Sequence, residues 1–317
     1  MKRALIVGIN DYPTAPLKGS VKDATKMFEL LSKNGDGSPN YHCKLLISDD
    51  NRVVSRSILE ELLQQLLIPE TDSAIFYFSG HGSHNILGGY LITQDATKPS
   101  HGYSFHDLHT LIMKSPIKEI TIILDCCYAG EFGNEEMDGE STVELREGVT
   151  IMAACQPVQL SRENEEGGVF TSLVVNALEG EAADVTGRVT LASIYNHVDG
   201  LLTAWDQRPL FKSHISQMQP LRMVQSNFHY HELSHLRKLF PTVDYELRLS
   251  PEHEPSVEPH DPAKEADFTM LQRFRSASLV EPVLPHIHMY FTAIECGKCK
   301  LTPQGRFYWR MLDRNGG

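Results

Sequence analysis

The 317-residue chain has no apolar run approaching the roughly 18 residues that a membrane-spanning helix needs; its longest apolar stretches are of strand length. A membrane is therefore not expected among its partners. Positive charge is also short: 29 Lys and Arg against 41 Asp and Glu leave a net charge of -12. That balance argues against nucleic acid, whose non-specific binding depends on neutralising phosphates, and suits an enzyme that attracts basic substrates. Cysteines number only six, at positions 43, 126, 127, 155, 296 and 299, and two of them are adjacent. Adjacent residues point to opposite faces of a strand, so these do not build a disulfide framework, and a reducing, cytoplasmic setting is expected. The opening Met1-Lys2-Arg3-Ala4-Leu5-Ile6-Val7-Gly8-Ile9-Asn10 is apolar for only about six residues, too few for a signal peptide, and reads as a first strand. No internal repeat is present.

Strand-like runs at 3–9, 43–48, 73–79, 119–125 and 149–155 alternate with helical patterns near 20–33, 54–67, 104–113 and 169–179. Such alternation implies βαβ units and a mostly parallel sheet. The stretch from Ser55 starts on a capping residue and keeps Ile58, Leu59, Leu62, Leu63 and Leu66 on one face, as expected of a helix lying on a sheet. Residues 191–205 read as a further helix, and Gln219 to Val224, which contains Pro220, as a last edge strand. The sheet then holds about six strands.

Two short strings carry the chemistry. Phe78-Ser79-Gly80-His81-Gly82 follows the apolar run Ala74 to Tyr77, and Asp125-Cys126-Cys127-Tyr128-Ala129-Gly130 follows Ile120 to Leu124. Runs of this kind read as buried parallel strands, whose carboxyl ends face the ligand crevice of an open α/β sheet. A His and a Cys at two such ends make a base and a nucleophile. A thiol is mostly neutral at pH 7 and needs a base or a positive neighbour, which His81 offers. Gly82 would leave room for a substrate backbone, and the amide groups of Gly82 and Cys127 could form an oxyanion hole.

His81 and Cys127 lie 46 residues apart, close to the spacing of the caspase His and Cys. The two strings resemble the catalytic boxes of metacaspases and other bacterial caspase-like peptidases, over roughly residues 1–225. Tyr128 and Ala129 depart from the His and Ser usual there. The resemblance implies a caspase-like three-layer α/β sandwich with a mostly parallel six-stranded sheet. It also implies that Cys127 is the nucleophile, His81 the base and Asp125 a substrate-pocket residue. Gly8-Ile9-Asn10-Asp11-Tyr12 and Leu17 to Ala24 resemble the family's first box, with Asp23 in the pocket position; taken alone, Asp23 reads as a solvated first-turn carboxylate. Together the two carboxylates imply a pocket for Arg or Lys at P1. Ala153-Ala154-Cys155-Gln156 resembles the segment lining the same groove, which makes Cys155 a pocket wall.

Calcium is a family trait that Asp95, Asp107 and the acidic 131–147 stretch could serve, although no EF-hand spacing occurs. His286, His288, Cys296 and Cys299 carry zinc-ligand types, but the His spacing favours ordinary core and surface residues. No cofactor is expected.

Glu131 to Glu147 is acidic, Gly-bearing and without a period, as for a long loop after the nucleophile. Arg146 is its only basic residue and the expected processing site, for a zymogen cut within 131–148 by itself or by an upstream protease. Four prolines fall between Ser250 and Pro262, so residues 226–262 read as a linker. It would join the peptidase domain, 1–225, to a small C-terminal domain, 263–317, resembling the winged-helix modules of bacterial regulators. That tail would dock an effector protein; its scattered Lys and Arg do not suggest a DNA reader. The expected function is a cysteine endopeptidase cleaving protein substrates after Arg or Lys in a bacterial antiviral-defence or cell-death pathway. The alternatives are a non-catalytic caspase-like scaffold and a winged-helix regulator.

Overall fold

The computed structural model describes residues 1–49, 53–86, 88–98, 101–127, 129, 134–137, 140–143, 145–154, 163–164, 167–202, 209–284 and 288–314. The chain divides into two compact units, Met1–Gln225 and Ser226–Gly317.

In the first unit β1 (Lys2–Gly8), α1 (Ser20–Ser32), β2 (His42–Ile47), α2 (Arg56–Leu67) and β3 (Ser73–Ser79) are followed by the short strands β4 (Gly82–Asn85), β5 (Gly88–Leu91) and β6 (Tyr103–Ser104). Next come α3 (Phe105–Lys114), β7 (Glu119–Asp125), the hairpin β8 (Asn134–Met137) and β9 (Glu140–Val143), and β10 (Val149–Ala153). The unit closes with β11 (Glu163–Asn164), β12 (Gly167–Gly168), α4 (Val169–Asn176), β13 (Arg188–Val189), α5 (Leu191–Leu201), β14 (Leu210–His214) and β15 (Arg222–Met223).

Six strands form the central sheet in the order β14-β10-β7-β3-β1-β2, parallel throughout except for β14. All seven residues of β3 are buried, as expected of a parallel strand covered on both faces. Alternate residues feed two cores. Ala74, Phe76 and Phe78 meet Leu59, Leu63 and Leu67 of α2 and Leu108 and Ile112 of α3. Ile75 and Tyr77 meet Met27 and Leu31 of α1, Val174 of α4 and Ile194 of α5. The result is a three-layer α/β sandwich, and at about 25 cal/mol per Å2 of apolar surface these two cores supply most of its stability.

Helix starts follow the capping rules. Ser55 accepts from the Ile58 amide and Ser104 from the Asp107 amide. Ile58 itself is exposed, while Leu67 joins the buried set in its place. The sixth strand is not residues 219–224, as the sequence suggested, but Leu210–His214, antiparallel to β10; Arg222 and Met223 pair with β13 outside the central sheet. A five-residue edge strand carrying Lys212, Ser213 and His214 has too little apolar alternation to announce itself. The 131–147 stretch, expected as an irregular loop, contains the β8–β9 hairpin, with Met137 opposite Glu140.

The second unit contains α6 (Tyr230–Leu233), α7 (His235–Leu239), β16 (Leu247–Arg248), α8 (Pro262–Ser276), β17 (Val280–Pro282), α9 (Met289–Ile294), β18 (Lys298–Leu301) and α10 (Pro303–Arg314). Its three strands pair antiparallel in the order β16-β18-β17. The expected linker at 226–262 is instead folded. Phe228, Leu233, Leu236, Phe240 and Leu249 are buried, and Leu247 pairs with Cys299. The prolines punctuate short elements: Pro251 opens a single 3-10 turn and Pro262 the first turn of α8, capped by Asp261. A wing would be a loop between the second and third strands, where this unit has α9.

Gly8, the last residue of β1, lies under the start of α1. A Cβ there would sit 2.4 Å from the Ser20 carbonyl oxygen and 2.6 Å from the Ala24 Cβ. Gly8→Ala is therefore expected to cost about 1–3 kcal/mol in urea unfolding, as overpacked positions do. Gly200→Ala, on α5 with open space around it, should be neutral or gain up to about 1 kcal/mol.

Candidate active site

Chain order and strand order first diverge at β1, where the chain goes out to β2 and returns to β3 on the other side of β1. The carboxyl ends at such a reversal frame the binding crevice of open α/β sheets. Residues Ile9–Gly19, after β1, and Gly80–His81, after β3, flank this point, and Cys127 follows the neighbouring β7. In the β3–β7 ladder Ser79 stands opposite Asp125. His81 and Cys127 are each two residues past that pair, so the register carries them to the same edge of the sheet.

Gly82 is where the two strand ends touch. A Cβ on it would lie 2.0 Å from the Cys127 carbonyl oxygen and 3.1 Å from the Cys126 sulfur. The space expected for a substrate backbone on this side of Gly82 is taken by the Cys127 carbonyl, and glycine permits that approach. The adjacent sulfurs part as strand alternation requires. Cys126 is buried in the core beneath α2 and α3, and Cys127 is half-buried.

His81 is held from three sides. Its Nε2 lies 2.7 Å from the carbonyl oxygen of Ala15. A carbonyl only accepts, so Nε2 carries the proton and, in the neutral ring, Nδ1 is left as the basic nitrogen. Ala15 presents that oxygen from a left-handed backbone conformation, φ 60, strained for a residue with a Cβ. The Tyr12 hydroxyl accepts from the His81 amide at 2.9 Å and donates to the Ile92 carbonyl at 3.0 Å. The two rings are 4.5 Å apart. Gly80 leaves room for that hydroxyl, since a Cβ there would come within 2.5 Å of it. Burial raises the Tyr12 pKa, so the phenol stays protonated and serves as both donor and acceptor. Asn10 shapes the loop that carries both partners: its side chain accepts from the Val21 amide and donates to the Lys18 carbonyl.

Asp125 points to the other face of the sheet, toward α1 and α4. Asp23 is buried there too, not solvated in the first turn of its helix. Both carboxylates converge on Gly168, the residue before α4. Its amide donates to Asp23 Oδ2 at 2.9 Å, and a Cβ on it would lie 2.3 Å from Asp125 Oδ2 and 3.3 Å from Asp23 Oδ2. The Thr171 hydroxyl donates to Asp125 Oδ2 at 2.6 Å, and the Tyr77 hydroxyl lies 2.7 Å from Thr171 Oγ1. Tyr12, Ala15, Tyr77, Gly168 and Thr171 were not singled out individually from the sequence. Tyr12 lies inside the first box; nothing local marks Gly168 or Thr171.

The other candidates lie elsewhere. Cys155 and His286 fall outside the described residues. Arg146 is half-buried and its guanidinium donates to the carbonyls of Ile112 at 3.0 Å, Ile117 at 2.6 Å and Glu147 at 2.9 Å, with its pKa lowered by burial. Asp95 accepts from the Arg56 amide and the Thr93 hydroxyl, and Asp107 lies 3.5 Å from the Arg56 guanidinium. His288 caps α9 through Nδ1, while Cys299 is buried in β18 with its thiol pushed up to about 12 by burial. Among the described residues no three His, Cys, Asp or Glu side chains group as metal ligands. No described helix is long and apolar enough to cross a membrane.

A mostly parallel sheet covered by helices on both faces, with a Cys and a His just past adjacent strand ends, defines the class of three-layer α/β sandwiches. The caspase-domain family model matches residues 1–219, and the chain belongs to that family. Among solved structures it is similar to a Geobacter sulfurreducens protein, at 14% identity and TM-score 0.53, over 71% of this chain and 99% of that one. It is also similar to caspase-1 from Spodoptera frugiperda, at 15% identity and TM-score 0.51, over 71% and 91% of the two chains. These likenesses concern the fold. No curated protein matches the chain.

Tyr12→Phe removes the hydroxyl that joins the His81 amide to the Ile92 carbonyl and leaves both without it. Equilibrium unfolding should show a loss of about 1–3 kcal/mol, the cost of an orphaned buried polar group. An unchanged unfolding midpoint would mean that this bridge holds nothing.

Proposed function

We propose that the chain is a cysteine endopeptidase that cleaves protein substrates after Arg or Lys. The observation that carries this reading is the matched displacement of His81 and Cys127 past a paired Ser79 and Asp125, with the buried Asp23 and Asp125 converging on Gly168. His81 Nδ1 takes the thiol proton of Cys127, and the thiolate attacks the scissile carbonyl carbon. The tetrahedral oxyanion is held by the amides of Gly82 and Cys127. The imidazolium then gives its proton to the leaving amine as the carbon–nitrogen bond breaks, and water hydrolyses the thioester through the same base. The Ala15 carbonyl stabilises the imidazolium through Nε2–H. Arg or Lys at P1 is drawn by the two carboxylates; a buried, paired charge gives specificity because the wrong side chain leaves it uncompensated.

Cleavage of a peptide library by the purified full chain tests both halves. Cys127→Ala and His81→Ala should each abolish turnover, whereas Cys126→Ala, in the core, should keep most of it. Asp125→Asn should lower kcat/KM on Arg substrates by about 2–5 kcal/mol in transition-state terms. Loss of activity in the Cys126 variant alone would reassign the nucleophile, and a library dominated by acidic or apolar P1 residues would remove the basic pocket.

The same reading includes a zymogen activated by a cut in the 131–148 segment after Arg146, in a cytoplasmic defence or cell-death pathway. Because the Arg146 guanidinium holds three backbone carbonyls, the cut requires the corner at 145–148 to open locally first. Arg146→Gln should remain full length and poorly active, and a foreign protease site inserted between Asp138 and Gly139 should restore activity once cut. Full activity of the intact Arg146→Gln chain would rule this activation out. The second unit is the part of the chain suited to docking an upstream protease or effector.

A further inference from the structure

Beneath the carboxylate pair lies a chain of hydroxyls that the reaction does not use directly. Thr171 donates its one hydroxyl proton to Asp125 Oδ2 at 2.6 Å. The contact of 2.7 Å between Tyr77 and Thr171 must therefore be donated by the tyrosine. Tyr77 and Thr171 are both fully buried, and the Tyr77 pKa is raised by burial and by the charges of Asp125 and Asp23, so the phenol does not ionise and always donates. Each hydroxyl polarises the next, and the string ends on an oxygen of the buried Asp125 carboxylate. On the other side Gly168 excludes any side chain from the 2.3 Å approach to the same oxygen and gives its amide to Asp23. One oxygen of each carboxylate is thus committed to a fixed protein donor, and the plane of Asp125 is set from β3 and α4.

We infer that Thr171, backed by Tyr77, is a specificity-positioning residue that fixes the Asp125 carboxylate so that the pocket selects Arg over Lys at P1. This rests on the basic-pocket reading above. A guanidinium is a rigid planar fork whose two-point pairing depends on the carboxylate's orientation, whereas an ammonium is a point charge that tolerates rotation of its partner. Removing the hydroxyl string leaves the charge of Asp125 in place and removes its orientation.

The test compares the full chain with Thr171→Val, Thr171→Ser and Tyr77→Phe on matched peptides carrying Arg or Lys at P1. Thr171→Val should raise KM for the Arg peptide about tenfold while kcat changes little, and should shrink the Arg-to-Lys ratio of kcat/KM by a similar factor. Thr171→Ser should restore both, and Tyr77→Phe should give a smaller shift of the same sign. A variant merely loosened in its fold would lose both substrates equally and lower its melting temperature. If Thr171→Val folds poorly, Tyr77→Phe, which keeps the ring in the core, decides on the same ratio. Wild-type enzyme without a basic P1 preference would overturn the pocket itself. Wild-type enzyme that prefers Arg, with an unchanged ratio in Thr171→Val and Tyr77→Phe, would overturn this role alone.

Discussion

The site depends on the pairing of β3 with β7. The two strands run parallel with Ser79 opposite Asp125, and in a parallel ladder both chains leave the sheet at the same edge. Two residues further on, one chain has delivered an imidazole and the other a thiol. A slip of one residue would bring Cys126 out of the core and turn Asp125 away from α4, because side chains alternate with a period of two. What prevents the slip is apolar. Phe76, Phe78, Ile122 and Leu124 are buried on one face, and Ile75, Tyr77 and Ile123 on the other, so either shift would exchange two filled cores. Loop chemistry is thereby set by the buried strands beneath it.

Alternation sends Cys126 to the α2–α3 core and leaves Asp125 and Cys127, two residues apart, on the same side, so two tasks that conflict have to be kept apart by other means. A carboxylate beside a nucleophilic thiol raises the thiol's pKa, yet a basic substrate needs carboxylates close to the scissile bond. Asp125 is buried among α1, α4 and Tyr77, while the backbone of Cys127 is turned toward Gly82. The Asp125 carboxylate is engaged by the Thr171 hydroxyl and the Asp23 carboxylate by the Gly168 amide, so each has a fixed donor on one of the oxygens that would otherwise repel each other.

How much of this was legible in the sequence follows from the range of each interaction. β1, β3, β7 and α2 were legible because their signals are local: buried apolar runs, and a capping serine followed by a regular apolar face. The His81 and Cys127 boxes were legible because a strand end is where the apolar run stops. β14 was not, since its place in the sheet comes from antiparallel pairing to β10 and its own residues are half polar. The prolines of 250–262 suggested a linker; in the fold Pro251 begins a single 3-10 turn and Pro262 begins α8, and the neighbouring Leu249 and Phe268 are buried. Thr171 lies 46 residues from Asp125 and 94 from Tyr77, so no local pattern could join them. Asp23 shows the same limit from the other side. Its position in the first turn of α1 suggested solvent, and its burial comes with a partner 145 residues away, the Gly168 amide.

Strain and buried charge collect at this one end of the sheet. Ala15 is left-handed, two carboxylates share a pocket, and Gly8, Gly80, Gly82 and Gly168 each lack a side chain where another group comes within 2.6 Å of its place. A left-handed non-glycine residue costs on the order of 1–3 kcal/mol, and like charges near one another cost more the less water separates them. Such features persist only where the surroundings over-determine them, and here the surroundings are the parallel strands β1, β3, β7 and β10, largely buried on both faces. The opposite end of the same sheet has its own close approach, Gly148 at φ 89 with the Lys118 carbonyl oxygen 1.8 Å from where a Cβ would sit, but its charges are partly exposed: Lys2 opens β1 and Glu119 opens β7, each lowering the other's cost of burial. A sheet that is rigid along its length can carry a buried carboxylate pair at its carboxyl edge without asking the loops themselves to be stable. The asymmetry between the two ends is therefore one of buried charge, not of close backbone approach.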